Sequence, residues 1–203
     1  MKETTLFMIR HGRLINSDKP FFTGQADMPL SDEGWKETTN FLEPLSKKNI
    51  SLVLSSDLER TAKPAKFYSE ALNCPLKISK ELREINAGRW ENKSYQDVMR
   101  SETEYLKLRY QDPLKIPFPE GENLKDLKKR VINCLRGILK SCSDENILLV
   151  GHAGVIRVIV LHYLKIPLKQ FFCFEVDYGS LTVLRFFEDG NVTLKLFNYK
   201  DQL

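Results

Sequence analysis

The chain holds 203 residues, 42% of them hydrophobic and 29% charged, the balance of an ordinary globular protein with one substantial core. Its net charge of +4 is mild and its lysines are spread along helical stretches, which suits a small anionic ligand and argues against nucleic acid as a partner. No apolar stretch nears the roughly 20 residues of a membrane span, and Met1-Lys2-Glu3 opens no signal peptide, so the expectation is a cytoplasmic protein with no membrane partner.

The elements alternate along the chain. Leu6, Phe7, Met8 and Ile9 are apolar on both faces, as in a parallel strand covered by helices on each side. Ser31 is a plausible N-cap for a helix through "LSDEGWKETTNFLEPLSKK", bent or ended near Pro44. "ISLVLSS" reads as a second buried strand. The helix after it runs through "FYSEAL", and Pro64 in a first turn places its start near Thr61 rather than at Asp57. "PLKIS" is a third strand. Leu124, Leu127, Val131, Leu135 and Ile138 share one helical face. "ENILLVG" is a fourth strand leading into the helix "AGVIRVIVLHYL". The strands "SLTVLRFF" and "VTLKLFN" flank a hairpin turn at Asp189-Gly190. The whole chain, 1–203, reads as a single α/β domain, a three-layer α/β/α sandwich around a mainly parallel sheet. Pro113 to Pro119 is a surface loop rather than a linker. The four cysteines, Cys74, Cys134, Cys142 and Cys173, show no C-x-x-C pair and no histidine at zinc spacing. They read as reduced thiols, mostly in the core.

Ligands of such folds gather at the carboxyl ends of the strands. Two of the three histidines stand there beside glycine, His11 in "FMIRHG" and His152 in "LLVGHAG"; "LVLSS" leads within a few residues to Arg60. His162, inside an apolar helix, reads as structural or surface. Gathering Arg10, His11, Arg60 and His152 would cost on the order of 4 kcal/mol per close charged pair at intermediate dielectric. An anion among them offsets that cost, and a phosphate matches guanidinium forks.

At these residues the sequence resembles the histidine phosphatase superfamily, also called phosphoglycerate-mutase-like. The resemblance runs in order through "RHG" at Arg10-His11-Gly12, "TGQADMPLSDEG" from Thr23, "SSDLERT" with Arg60, "LREINAGRWE" with Glu84, "PEGENLKDL", and "VGHAGVIR" with His152. It implies a phosphoglycerate-mutase-like fold and a phosphohistidine mechanism. His11 would be the nucleophile. Arg10, Arg60 and His152 would hold the phosphoryl oxygens. Glu84 would be the general acid, then the base for the attacking water; Glu81 and Glu91 are neighbours that only the family pattern sets aside. No metal or other cofactor is implied. Thr23 and Gly24 match substrate-contacting positions, with Gln25 next to them, and Ala153 follows the second histidine. Members commonly continue R-H-G with Glu-Thr and an asparagine further on. Here Arg13 and Leu14 stand at the first two positions and Ser17 at the third, with Asn16 before it, so Ser17 or Asn16 is the expected phosphate donor. Arg13 is either a surface residue or a reader of a second acidic group.

The stretch between Glu84 and His152 is short, and the chain ends soon after the last strand. Both features resemble the phosphatase branch rather than the mutases. Ser101 to Pro119 would cover the site as a lid, with Tyr105, Arg109 and Tyr110 as candidate leaving-group contacts, and Phe21, Phe22 and Trp90 could wall the pocket. The "DMPLSDEGW" and "PEGENL" wording is similar to α-ribazole phosphatases and to broad-specificity phosphatases. The expectation is a metal-independent phosphomonoesterase for a small phosphorylated metabolite such as α-ribazole 5′-phosphate, working as a monomer or homodimer. The alternatives are a cofactor-dependent phosphoglycerate mutase and a catalytically weak phosphate-binding regulatory module.

Overall fold

The computed structural model describes residues 3–15 and 21–200. Its centre is a six-stranded sheet in the order β3-β2-β4-β1-β5-β6. The strands are β1 (Glu3–Arg10), β2 (Ile50–Ser55), β3 (Leu76–Ile78), β4 (Asn146–Gly151), β5 (Leu181–Phe187) and β6 (Val192–Tyr199). The first four run parallel, β5 is antiparallel to β1, and β6 is antiparallel to β5. Seven α-helices connect and cover them among the described residues: α1 (Asp32–Thr39), α2 (Leu42–Ser46), α3 (Glu59–Ala71), α4 (Tyr95–Ser101), α5 (Thr103–Gln111), α6 (Leu124–Ser141) and α7 (Ala153–Tyr163).

The alternation of side chains along β1 builds the layers. Leu6 and Met8 point into one core with Leu127, Val131 and Leu135 of α6 and Val155 and Ile159 of α7. Phe7 and Ile9 point into the opposite core with Leu45 of α2 and Ala65 and Tyr68 of α3. Helices therefore lie on both faces, and the expected three-layer α/β fold with its mainly parallel sheet is the one observed. The apolar face expected of α6 is buried throughout, and its start is fixed by a capping box between Asn123 and Asp126.

Boundaries moved where prolines act at a distance. Ser31 caps α1 by accepting from the Gly34 amide, as expected. The predicted bend falls at Asn40 and Phe41, ahead of Pro44, because a proline excludes the carbonyl four residues back from a helix. The opposite happens in α3, which starts at Glu59 and keeps Pro64 in its interior. Starting there brings Arg60 into the first turn, behind the end of β2. The cysteines also differ from expectation: Cys74, Cys134 and Cys142 are half-buried at the margins of the core, and Cys173 is exposed. Among the described residues, no helix is long and apolar enough to cross a membrane.

Candidate active site

The parallel pairing of β1 with β4 sets Arg10 opposite Gly151, so the residues that follow each strand meet. The His11 amide donates to the Gly151 carbonyl at 2.9 Å, and the His11 and His152 rings lie 5.3 Å apart, edge to face. Both histidines are buried. Arg60 comes in from α3, and Glu84 from the loop after the 3₁₀ turn Lys80–Leu82. The strand ends and α3 thus bring together the four residues singled out by their position, and the resemblance supplies the fifth.

His11 is held as a neutral imidazole. Its Nδ1 lies 2.8 Å from the Gly12 carbonyl, which only accepts, so the proton sits on Nδ1 and the Nε2 lone pair is free. Burial lowers its pKa well below the ordinary imidazole value, and the charges of Arg60 and Arg10 press it further down. Gly12 lies against Gly34 of α1, where a Cβ on either residue would collide with backbone. The loop that carries His11 is therefore packed directly on a helix, and the Gly12 amide donates to Thr38 of that helix.

The two arginines are built in rather than draped over the surface. Arg10 donates to the Val176 carbonyl, and its guanidinium lies 3.6 Å from the centre of the Tyr178 ring. Arg60 donates to the carbonyls of Ala26 and Gly24, both at 2.6 Å. Burial pushes both guanidiniums down from their ordinary pKa, with Tyr178 and Glu84 opposing the shift for Arg10 and Glu84 and Asp27 for Arg60. His152 meets Ser56 Oγ at 2.8 Å through Nε2, and Ser56 meets Thr61 at 2.7 Å. Its pKa is also well below normal, from burial first and then from Arg60, His11 and Arg10. Among the described residues, Arg10 Nε, Arg60 Nε and His152 Nδ1 are buried with no hydrogen-bond partner. Each such group costs about 1–3 kcal/mol unless a ligand satisfies it. A set of cations and open nitrogens around a nucleophilic imidazole has the chemistry to receive a tetrahedral oxyanion.

Glu84 is aimed by its surroundings. Its carboxylate accepts from the Ile85 amide at 2.8 Å and from the Gly154 amide, in the first turn of α7, at 3.0 Å. Its carbonyl accepts from Gln25 and from Arg130, which also spans the Glu81 and Arg83 carbonyls and pairs with Glu122. Glu91 is occupied elsewhere, accepting from the Gln25 and Ala87 amides. A Cβ at position 154 would collide with the Glu84 carboxylate, which explains the second glycine of "GHAG".

Arg10, His11, Arg60, Glu84 and Tyr178 line a cleft of about 230 Å³ together with Leu14, Phe21, Phe22, Thr23, Gly24, Ile85, Ala87 and Phe118. A larger apolar groove of about 440 Å³ lies across β1, β5 and β6 and contains none of the predicted site residues. Thr23 and Gly24 line the cleft as expected. Gln25 and Ala153 do not: Gln25 bonds the Glu84 backbone, and Ala153 opens α7. Asn16 and Ser17 lie outside the described residues. Arg13 faces Glu33 and Glu37 of α1 rather than the cleft. Of the segment 101–119, Phe118 reaches the cleft; Tyr105 bonds the Pro117 carbonyl, Arg109 is buried over the Phe118 ring, and Tyr110 is exposed near Tyr95. Trp90 is wholly buried behind Phe22. Tyr178, Ser56 and Arg130 carried no sequence signal of their own; a hydroxyl at a strand end or an arginine on a charged helix face looks like any other.

Comparisons with known proteins agree with this geometry. The family model described as the histidine phosphatase superfamily (branch 1) matches residues 6–199. Phosphoserine phosphatase 1 of Hydrogenobacter thermophilus is 30% identical over 193 residues, covering 94% of this chain and 90% of that protein. The adenosylcobalamin/alpha-ribazole phosphatase of Escherichia coli is 28% identical over 179 residues, covering 88% of each. Among solved structures, the alpha-ribazole phosphatase from Shigella flexneri superposes with a TM-score of 0.87 at 27% identity, covering 96% of each chain. With its ordered boxes converging on one cleft and the family model spanning nearly all of its length, the chain belongs to the histidine phosphatase superfamily, branch 1.

Proposed function

We propose that the protein, a phosphatase of this superfamily, hydrolyses the phosphomonoester of a small metabolite through a phosphohistidine on His11, without a metal. The free Nε2 lone pair of a neutral, buried His11 between two guanidiniums carries this reading. Nε2 attacks phosphorus in line with the ester oxygen, forming the N–P bond as the P–O bond breaks. Glu84 gives its proton to the departing alkoxide. It then takes a proton from the water that attacks the phosphohistidine, releasing inorganic phosphate and restoring both groups. Arg10, Arg60 and His152 meet the equatorial oxygens, where charge is spread in the transition state. α-Ribazole 5′-phosphate and phosphoserine are the candidate substrates that the relatives' names bring forward.

The test is phosphate release in excess EDTA, wild type beside His11→Ala, with rapid quenching to capture the labelled enzyme. The expected result is turnover in EDTA, absent from the variant, and a phosphoenzyme stable to alkali and labile to acid. Turnover by His11→Ala at the wild-type rate would sink the proposal. Isomerisation of 3-phosphoglycerate with 2,3-bisphosphoglycerate, in place of release, would make the protein a mutase. Phosphate binding without turnover would make it a regulatory module.

A further inference from the structure

The cleft is lined by charged and apolar side chains together. Beside Arg10, His11, Arg60, Glu84 and Tyr178, its described lining is Leu14, Phe21, Phe22, Ile85, Ala87 and Phe118, with Thr23 and Gly24 among them. The rings are fixed in place: Phe22 lies 5.2 Å from Trp90 and 6.0 Å from Phe118, and the Arg109 guanidinium lies 3.8 Å from the centre of the Phe118 ring. The described cations nearest in sequence to these walls are engaged elsewhere. Arg13 is paired with Glu33 and Glu37, Arg83 grips Asp57 through two 2.6 Å contacts, and Arg109 is buried behind Phe118.

We infer that the cleft takes phosphate esters whose alcohol carries an aromatic ring a few bonds from the ester oxygen; this rests on the phosphatase reading above. A volume of about 230 Å³ accommodates the phosphoryl group and one ring, and larger bodies would run out over Phe21, which is 37% exposed. A flat ring gains edge and face contacts with Phe22 and Phe118. A zwitterionic alcohol such as serine would press an ammonium and a carboxylate against the same carbons. Outside Arg10, His11, Arg60, Glu84 and Tyr178, the described lining offers one polar side chain, Thr23, and burying unpaired charge is costly. The wall thus separates two substrate classes that the phosphate end cannot distinguish.

The experiment compares kcat/KM for 2-phenylethyl phosphate, ethyl phosphate and O-phosphoserine, all esters of primary alcohols, so that leaving-group basicity varies little. The 2-phenylethyl ester should exceed both others by roughly tenfold or more. Phe118→Ala should lower the ratio of 2-phenylethyl to ethyl ester; should that variant fail to fold, Phe21→Ala at the exposed rim reads the same ratio. Equal values for the three esters, or a preference for phosphoserine, would overturn the aromatic class and leave the phosphatase standing. Silence with every ester would overturn the phosphatase reading, and this inference with it.

Discussion

Ser56 Oγ lies 2.8 Å from His152 Nε2, and the same hydroxyl meets Thr61 Oγ1 at 2.7 Å. When Ser56 donates into Nε2, the neutral ring carries its proton on Nδ1, the nitrogen without a partner. In the proposed function, the hydroxyl pair thereby readies an uncharged His152 to donate to phosphate. Ser56→Ala should lower kcat by roughly tenfold and weaken inhibition by inorganic phosphate, as expected when the group that orients a histidine is lost. An unchanged inhibition constant in a folded variant would show that the tautomer is set elsewhere.

The depressed pKa values of His11 and His152 link stability to pH. In the unfolded chain both imidazoles titrate near 6.5, whereas the buried rings resist protonation. Below about pH 6.5 the unfolded state takes up protons that the folded state refuses, so stability is fully present above that value and declines as pH falls. The slope is on the order of 1 kcal/mol per pH unit for each histidine. Urea unfolding of wild type and His152→Asn at pH 7.5 and 5.5 isolates one ring's share, and the variant should lose less on acidification. Inorganic phosphate, an anion among the cations, should raise both pKa values and flatten the wild-type dependence.

Gly154→Ala tests the placement of Glu84. The new methyl must displace the carboxylate from the first turn of α7. Transfer to and from His11 should slow by roughly a hundredfold, the scale of a misplaced general acid. Circular dichroism should show a folded protein. A variant with wild-type kcat would mean that Glu84 works from some other position.

Arg13 offers the opposite case. Glu37 is 7% exposed and accepts from both the Arg13 amide and its guanidinium. Arg13→Ala should cost about 1–2 kcal/mol in stability by leaving that carboxylate short of a donor. Its kcat/KM should stay within about threefold of wild type for any ester. A large, substrate-selective loss in KM would restore Arg13 as a reader of a second acidic group.

Much of the phosphate end was legible because each part stands at a punctuation mark in the sequence. Arg10, His11 and His152 follow apolar runs beside glycine, and burying cations there makes sense only with an anion. Glu84 was different. It lies in a loop among other glutamates, and only the family pattern selected it; what fixes it in space is Gly154 and Arg130, distant in sequence and visible only after folding. Gln25 looked like a substrate contact because it follows Thr23 and Gly24, yet a one-residue step along an irregular loop turned it onto the Glu84 carbonyl. The break between α1 and α2 was misplaced for a local reason: Pro44 marks it, but the ring acts on the carbonyl of Asn40, a full turn earlier.

The reversal of direction at β5 has its own consequence. Because β5 is antiparallel to β1, its beginning, not its end, adjoins His11: the Ser180 carbonyl accepts from the Arg10 amide, and Tyr178 just before it backs the Arg10 guanidinium. One wall of the site is thus made by the incoming connection to an antiparallel strand, β5, while His11 and His152 stand on outgoing connections of the parallel core. The two inventories are anchored to different strands. Changes of length or sequence in the segment that delivers Phe118 can therefore retune what the cleft accepts while the pairing of β1 with β4 is left untouched, whereas changes in the connection ahead of β5 reach the Arg10 guanidinium through Val176 and Tyr178.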